Sequence, residues 1–228
     1  MTDTDVRRGI VRVCKLMWQR GLIAGPDGNV SVRISFEHVL VTPRGFSKAS
    51  VEENDLVLVN LDGKRVGGRH EPSSELAMHL AIYRAREDVN AVVHAHPPVA
   101  TAFAVAGIGL PGNVLPELAV QMGEVPVVPY ATPGTEAMPD AIAPFLPNHD
   151  AFLLANHGAT TVGCTLAEAH QRMESLEHSA NILLTARLLG RVNALGIEEA
   201  RLLEAARRKA LEGRMTGEWR ATDAGSGA

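Results

Sequence analysis

The sequence predicts a single α/β domain with a mixed or largely antiparallel central sheet and helices on its faces. Short apolar runs typical of strands alternate along the chain with longer segments that have helical periodicity. No internal repeat, low-complexity block or linker divides the 228 residues, a length that fits one domain with a sizeable core. With 46% hydrophobic and 21% charged residues, the composition is that of an ordinary globular protein.

The first part of the chain is predicted to form a helix followed by three short strands. Apolar residues recur at helical spacing over residues 6–18. Residues 30–34 alternate between apolar and polar side chains, and apolar runs follow at 39–41 and 56–59. The pair Asp62-Gly63 is a hairpin turn signal that ends the third strand.

Two helices are predicted in the middle of the chain, over residues 73–86 and 99–105. In the first of them, Ser73 or Ser74 stands where a helix N-cap belongs, and Glu75 falls in the first turn. A carboxylate in that turn is favoured by the helix dipole.

Three further short strands are predicted at 91–93, 125–128 and 152–154. The second contains Pro126, which cannot donate a hydrogen bond to a neighbouring strand. We therefore expect that strand at an edge or an end of the sheet.

The C-terminal part is predicted to contain two helices. Thr165 and Glu168 have the spacing of a capping box, which opens the longest helix, over residues 165–189. A last helix follows over residues 197–211.

The domain is predicted to span residues 1–213 and to be followed by a flexible tail over residues 214–228. The net charge of −4 and pI of 6.1 lack the basic footprint of a nucleic-acid binder. No apolar run approaches the roughly 18 residues of a membrane span, and the acidic N-terminus is unlike a secretory signal. The two cysteines lie far apart, which indicates reduced thiols. We expect a cytoplasmic protein with neither nucleic acid nor membrane as a partner.

Three histidines carry the main functional signal. His94 and His96 follow a strand at a spacing of two, which points both imidazoles to the same side of the sheet. His157 follows another strand. Three histidine ligands leave an open coordination position, as in catalytic metal sites, whereas a closed structural site would use four ligands. The simpler alternative is a polar pair that caps a strand end.

Glu75 has two interpretations, a helix-start carboxylate or a general base next to a metal. His79 lies one turn later and either orients Glu75 or is a half-buried structural histidine. The hydroxyls of Ser73 and Ser74 at a helix start favour anion binding. Arg44 could strengthen phosphate binding, mark a carboxylate substrate, or face solvent.

Together these residues resemble the class II aldolase/adducin superfamily, which includes the L-fuculose-phosphate aldolases. Six matching motifs stand in family order between about residues 6 and 190: Gly28-Asn29-Val30-Ser31, Val41-Thr42-Pro43-Arg44-Gly45, Glu71-Pro72-Ser73-Ser74-Glu75, His94-Ala95-His96-Pro97, Pro129-Tyr130-Ala131-Thr132-Pro133-Gly134 and Asn156-His157-Gly158.

The resemblance implies a three-layer α/β/α fold with a central, mostly antiparallel sheet. It also implies a homotetramer with active sites at the subunit interfaces. The metal would be Zn²⁺ on His94, His96 and His157, with Glu75 as the fourth ligand and as the base during turnover; Mn²⁺, Co²⁺ or Fe²⁺ would suit the same ligands. The residues that match the phosphate-binding positions of the family are Asn29, Thr42, Gly45, Ser73 and Ser74.

The implied activity is a divalent-metal-dependent aldolase that cleaves a small ketose phosphate through a metal-stabilised enediolate. A decarboxylase or dehydratase on the same scaffold is the alternative, and a non-catalytic adducin-like interaction module is disfavoured because the metal ligands are retained. The chain departs from the fuculose-phosphate aldolases at residues 113–119, which lack the expected proton-donating tyrosine. Glu117 in that segment is either a second acid/base or a solvated loop carboxylate.

Overall fold

The computed structural model describes residues 2–215, with side chains over 2–213. Its eight strands are β1 (Asn29–Arg33), β2 (His38–Val41), β3 (Val57–Asn60), β4 (Arg65–Gly67), β5 (Ala91–Ala95), β6 (Val127–Val128), β7 (Ala151–Leu154) and β8 (Gly158–Gly163). They form one sheet with the order β4-β3-β2-β1-β5-β8-β7-β6. Neighbouring strands are antiparallel except β6 and β7, which are parallel.

The described residues form seven α-helices: α1 (Asp3–Gln19), α2 (Leu76–Ala85), α3 (Pro98–Val105), α4 (Pro116–Gln121), α5 (Ala137–Ile142), α6 (Leu166–Leu188) and α7 (Ile197–Met215). A short 3-10 helix lies at Glu53–Asp55. None of the helices in the described part of the chain is long and apolar enough to cross a membrane. Helices cover both faces of a mostly antiparallel sheet, which confirms the predicted α/β/α fold.

Two hydrophobic cores lie on opposite faces of the sheet. The larger core joins the sheet to α1, α3, α4 and α6, and includes Ile10, Val93 and Met173. The other joins the sheet to α2 and α5, and includes Ile82 and Val92. Neighbouring residues of a strand point to opposite faces, so Val92 and Val93 enter different cores. β5 is buried along its whole length, and the residues at its end are therefore held rigidly.

The segment before α2 differs from the prediction. The helix begins at Leu76 rather than at Ser73, and no side chain caps its first turn. The backbone N–H of Ser73 donates to the carbonyl of Thr42, and Pro72 forms a bridge with Pro43. This pairing holds Ser73 against the loop after β2, and the helix begins only after it.

Most other elements agree with the predictions within a few residues, including the hairpin at Asp62-Gly63 and the edge position of β6. Four of the strands and α-helices were not predicted: β4, β8, α4 and α5. All are short except β8, whose sequence Gly-Ala-Thr-Thr-Val-Gly carries little apolar alternation. The last helix extends to Met215, and residues 216–228 of the predicted tail lie outside the described residues.

A buried carboxylate ties the two helical layers together at the start of β7. Asp150 is 3% exposed and accepts hydrogen bonds from Arg86 at 3.0 Å, Arg172 at 3.0 Å and Arg207 at 3.3 Å. Arg86 follows α2 on one face, whereas Arg172 belongs to α6 on the other. Burial opposes ionisation of Asp150, but the charges of Arg172 and Arg86 outweigh it and lower the pKa of this carboxyl.

We predict that Asp150→Asn lowers the free energy of unfolding by about 3 kcal/mol near neutral pH, since removing one partner of a buried ion pair leaves charge uncompensated. The folded-state pKa of Asp150 is depressed, so its stabilisation is present above the unfolded pKa of 3.8 and is lost as pH falls below it. The difference between variant and wild type should therefore shrink in acid. Urea denaturation measures both effects.

Asp88→Asn is the matched control, because Asp88 also pairs with Arg86 but its side chain is 52% exposed. An exposed pair contributes less than about 1 kcal/mol. Equal losses in the two variants would contradict the role given to Asp150.

Candidate active site

The site is built at the centre of the sheet, where β5 ends between β1 and β8. His94 is fully buried, and its Nδ1 lies 2.9 Å from the carbonyl oxygen of Ala159 on β8. A carbonyl can only accept a hydrogen bond, so Nδ1 carries a hydrogen, and in the neutral ring Nε2 presents a lone pair. That Nε2 lies 3.1 Å from Nε2 of His96, so the two atoms cannot both carry a hydrogen.

His157 reaches the same point from the turn between β7 and β8. Asn156 has a φ of 57°, a left-handed conformation that asparagine tolerates better than most residues. The N–H of His157 donates to the carbonyl of Leu154, which closes the turn. The ring centre of His157 lies 4.8 Å from that of His94 and 4.9 Å from that of His96.

Gly158 makes this approach of the imidazoles sterically possible. A Cβ at this position would lie 2.6 Å from the carbonyl oxygen of Ala95, 2.6 Å from Cδ2 of His96 and 3.4 Å from Cε1 of His94. The φ of Gly158 is not in the left-handed region. Glycine is therefore required at position 158 because a side chain would not fit, and not because of its backbone conformation.

Glu75, just before α2, faces the three imidazoles from the opposite side. Its Oε2 lies 3.2 Å from Nε2 of His94, and its Oε1 lies 3.2 Å from Nε2 of His157. The Nδ2 of Asn29 donates to Oε2 at 2.8 Å. Burial opposes ionisation, but the nearby His94 and His157 and the hydrogen bond from Asn29 outweigh it and hold the pKa of Glu75 far below its usual range.

These four side chains could hold a divalent ion. Their three nitrogens lie within 4.8 Å of one another. Tetrahedral binding at about 2.0–2.1 Å would place ligand atoms about 3.3 Å apart, close to the observed contacts of 3.1 and 3.2 Å. The Oε1 of Glu75 is buried without a hydrogen-bond partner, as expected of an atom that ligates an ion.

A polar cavity of about 310 Å³ opens beside the imidazoles. Five residues predicted to bind substrate line it: Asn29, Arg44, Gly45, Ser73 and Ser74. Two residues predicted for substrate binding or acid/base catalysis are not among those that line it. Thr42 is fully buried, and its hydroxyl accepts the N–H of Val30. Glu117 is exposed on α4.

Two charged residues of the cavity were not predicted to belong to the site. Lys48 is 2% exposed, and its Nζ donates to the carbonyl oxygens of Pro26 and Phe46, which ties together the loops before β1 and after β2. Burial lowers the pKa of Lys48. Asp27 places a carboxylate oxygen 3.4 Å from Nδ1 of His96. Both residues stand next to predicted motifs, but the sequence does not show that they turn inward.

Comparison with known proteins agrees with this geometry. The model of the Class II Aldolase and Adducin N-terminal domain matches residues 8–184, and the chain belongs to this family. The relatives that belong to this family are lyase-type enzymes. The family resemblance seen in the six motifs is therefore confirmed.

Relatives of two activities are similar to the chain. A 5-deoxy-D-ribulose 1-phosphate aldolase of Bacillus thuringiensis serovar kurstaki is 36% identical, over 85% of this chain and 91% of the relative. A 3-oxo-tetronate 4-phosphate decarboxylase of Escherichia coli O6:H1 is 34% identical, over 79% of this chain and 87% of the relative. The solved structure of an L-fuculose 1-phosphate aldolase superposes with a TM-score of 0.83 at 32% identity, covering 90% of this chain and 97% of that one.

The buried histidines predict how the stability of the metal-free protein depends on pH. Burial lowers the pKa of His79 to about 3, and burial with the nearby His94 lowers that of His157 to about 4, from 6.5. Both residues stay neutral in the folded protein while the unfolded chain takes up protons below pH 6.5. The stabilisation that these neutral histidines give the folded protein is therefore complete above pH 6.5. It is lost as the pH falls from 6.5 to the folded pKa values of about 3 and about 4.

We expect the free energy of unfolding of metal-free protein to drop by about 2 kcal/mol between about pH 7.5 and about pH 5.5. Urea denaturation in the presence of a chelator measures it. His79→Gln removes one of the contributing groups, so its drop should be smaller by about 1 kcal/mol. A free energy of unfolding that is the same at both pH values would show that these histidines are not buried as described.

Proposed function

We propose that this chain is a divalent-metal-dependent carbon–carbon lyase of the aldolase type that acts on a small ketose phosphate. One observation supports the proposal above all others. Three imidazole nitrogens and both carboxylate oxygens of Glu75 converge at the wall of a polar cavity. A shared divalent ion accounts for the close approach of these atoms at 3.1–3.2 Å.

In this proposal His94, His96, His157 and Glu75 would hold the ion in the resting site, and Glu75 would leave it to act as the base; the ion is Zn²⁺ or another divalent metal. When bound, the ion would supply Lewis-acid stabilisation of negative charge on the substrate. Asp27 helps to orient His96 through Nδ1. The tautomer of His94 is fixed by the carbonyl of Ala159, so its Nε2 remains available.

Glu75 serves as the base. It removes a proton from the carbon next to the carbonyl of the ketose phosphate, and the electron pair of the broken C–H bond delocalises into that carbonyl. In the cleavage direction an acid/base group takes the hydroxyl proton of the departing aldehyde, the carbon–carbon bond breaks, and its electron pair delocalises into the carbonyl. Glu75 in its protonated form then gives a proton to the freed carbon, so that the net change moves one proton from oxygen to carbon. The low pKa keeps Glu75 ionised in the resting site, and charge developed on the substrate would raise it.

The other end of the cavity is suited to a phosphate. Ser73 and Ser74 place hydroxyls on its wall, and Arg44 can present a guanidinium fork. Gly134 approaches the carbonyl of Ser74, where a Cβ would lie 3.2 Å from that oxygen, so the loop that contains Pro133 closes over the serines. We propose the phosphate-binding role for Asn29, Thr42 and Gly45 as well, although the side chain of Thr42 is turned away from the cavity.

Decarboxylation of a phosphorylated oxo acid is the second candidate. Aldol cleavage requires an acid/base group for the departing aldehyde, whereas carbon dioxide leaves without one. Within the described residues, segment 113–119 has no tyrosine and Glu117 is not on the cavity wall. A role for Glu117 as second acid/base would place it in the site of a neighbouring subunit, in agreement with the proposed homotetramer. We further propose a cytoplasmic location.

We predict about one divalent ion per chain, and activity that a chelator abolishes and Zn²⁺, Mn²⁺ or Co²⁺ restores. Elemental analysis measures the ion.

Dihydroxyacetone phosphate with short aldehydes tests the aldolase, and carbon dioxide release from 3-oxo-tetronate 4-phosphate tests the decarboxylase. Glu75→Gln should abolish either reaction and still bind metal. If no divalent ion could be loaded, the metal-dependent proposal would be wrong; a loaded protein inactive in both assays would contradict both candidate reactions.

Gly158→Ala tests whether the convergence of the imidazoles is what binds the ion. The new methyl would displace His96, so we expect metal affinity to fall about 10-fold to 100-fold. Isothermal titration with Zn²⁺ measures the affinity. Gly9→Ala on α1 is the control, because its Cβ would meet only the flexible end of Leu166 at 3.3 Å. An unchanged affinity in Gly158→Ala would contradict the geometry.

A further inference from the structure

A continuous row of hydrogen-bonded side chains runs from the interior of the protein to Glu75. The hydroxyl of Tyr83 lies 2.8 Å from Oγ of Ser31, which lies 2.6 Å from Nδ1 of His79. The Nε2 of His79 contacts Oδ1 of Asn29, and Nδ2 of Asn29 lies 2.8 Å from Oε2 of Glu75. We call these five side chains the relay.

Two regular elements produce the relay. Asn29 and Ser31 are two apart on β1, so they project from the same face of the sheet. Glu75, His79 and Tyr83 are four apart at the start of and along α2, so they lie on one side of that helix. The strand and helix spacings interleave the two sets of side chains in space. Each member between Glu75 and the interior is at most 2% exposed, so water does not compete for these bonds.

The chemistry of the members gives every hydrogen bond one direction. An ionised Glu75 only accepts, so the amide of Asn29 must point its NH₂ to Oε2 and its oxygen to His79. His79 must then donate from Nε2 and accept at Nδ1, which is the neutral imidazole. Burial lowers the pKa of His79 to about 3, in agreement with a neutral ring. Ser31 therefore donates to His79 and accepts from Tyr83.

The direction of the relay makes the two oxygens of Glu75 different. Oε2 accepts from Asn29, and a proton on Oε2 would face an NH₂ group and lose that hydrogen bond. Oε1 has no hydrogen-bond partner and lies on the side of His157. A proton that arrives at the carboxylate is therefore accommodated at Oε1.

We propose that Tyr83, Ser31, His79 and Asn29 are positioning residues that hold Oε2 of Glu75 and assign the exchange of the substrate proton to Oε1. The proposal rests on the proposed function of Glu75 as the base. In the step, Oε1 takes the proton from the carbon next to the carbonyl, the electron pair of the C–H bond enters the carbonyl, and the reverse step returns the proton. Asn29 thus acts on Glu75, in addition to any contact with phosphate.

The tautomer of His79 tests the relay without any measurement of activity. Histidine-selective ¹⁵N labelling of the wild-type protein, metal-free and loaded with Zn²⁺, reports by NMR which ring nitrogen carries hydrogen. The resonances that disappear in His79→Gln identify the residue. We expect a neutral ring with hydrogen on Nε2 and an unprotonated Nδ1 near neutral pH. Hydrogen on Nδ1, or on both nitrogens, would reverse the direction of the relay and overturn the proposal.

Kinetic variants test the positioning role. His79→Leu removes the donor to Asn29, so kcat should fall about 10-fold to 100-fold while KM and bound Zn²⁺ stay near wild type. His79→Gln retains an N–H near the position of Nε2 and should restore kcat to within about 3-fold of wild type, as expected when a donor is kept. His170→Leu, a change of another buried histidine on α6, is the control and should leave kcat unchanged.

Hydrogen–deuterium exchange of dihydroxyacetone phosphate in D₂O, without an aldehyde, measures the proton step itself. Slower exchange in His79→Leu than in His79→Gln, at equal metal content, supports the relay. Equal rates in His79→Leu, His79→Gln and wild type would overturn it, and so would a loss in His79→Leu that is explained by lost metal. A wild-type protein without any exchange would contradict the proposed base while the NMR result still decides the direction of the relay.

Discussion

The site depends on the pairing of β5 with β8. In that ladder His94 lies opposite Thr160 and Ala95 lies opposite Ala159, so the end of one strand meets the start of the other. The turn before β8 brings in His157, and the absence of a side chain at Gly158 lets the strands close over the rings. The imidazoles are therefore held at the ends of buried strands in the centre of the sheet.

The opposite side of the site depends on contact between β1 and α2. β1 also pairs with β5, where Asn29 lies opposite His94. A single strand therefore sets the position of the imidazoles through its backbone and of Glu75 through a side chain. This arrangement explains how a buried carboxylate is held facing three imidazoles.

The sequence allowed the histidines and Glu75 to be predicted because their spacing follows regular elements. A spacing of two on a strand has one structural meaning, so His94 and His96 were expected on the same side. The pattern of elements predicted a mixed or largely antiparallel sheet, and the family motifs added the three-layer α/β/α arrangement. β8 was missed because its threonines and glycines, including Thr160, do not alternate as a half-buried strand would.

Other features depend on contacts between distant segments, which local patterns do not report. The helix start was placed at Ser73 because the pairing of Pro72 with Pro43 is not visible in the sequence. Lys48 looks like a loop lysine, yet two backbone carbonyls hold it inside the domain. The role of Asn29 was assigned to phosphate alone, since its contact with Glu75 joins residues that are 46 positions apart.

The central claim is that His94, His96, His157 and Glu75 bind one ion, and X-ray absorption of Zn²⁺-loaded protein tests it most directly. The account predicts imidazole nitrogens and a carboxylate oxygen at about 2.0–2.1 Å. Sulfur ligands at about 2.3 Å, or an absence of imidazole scattering, would contradict it.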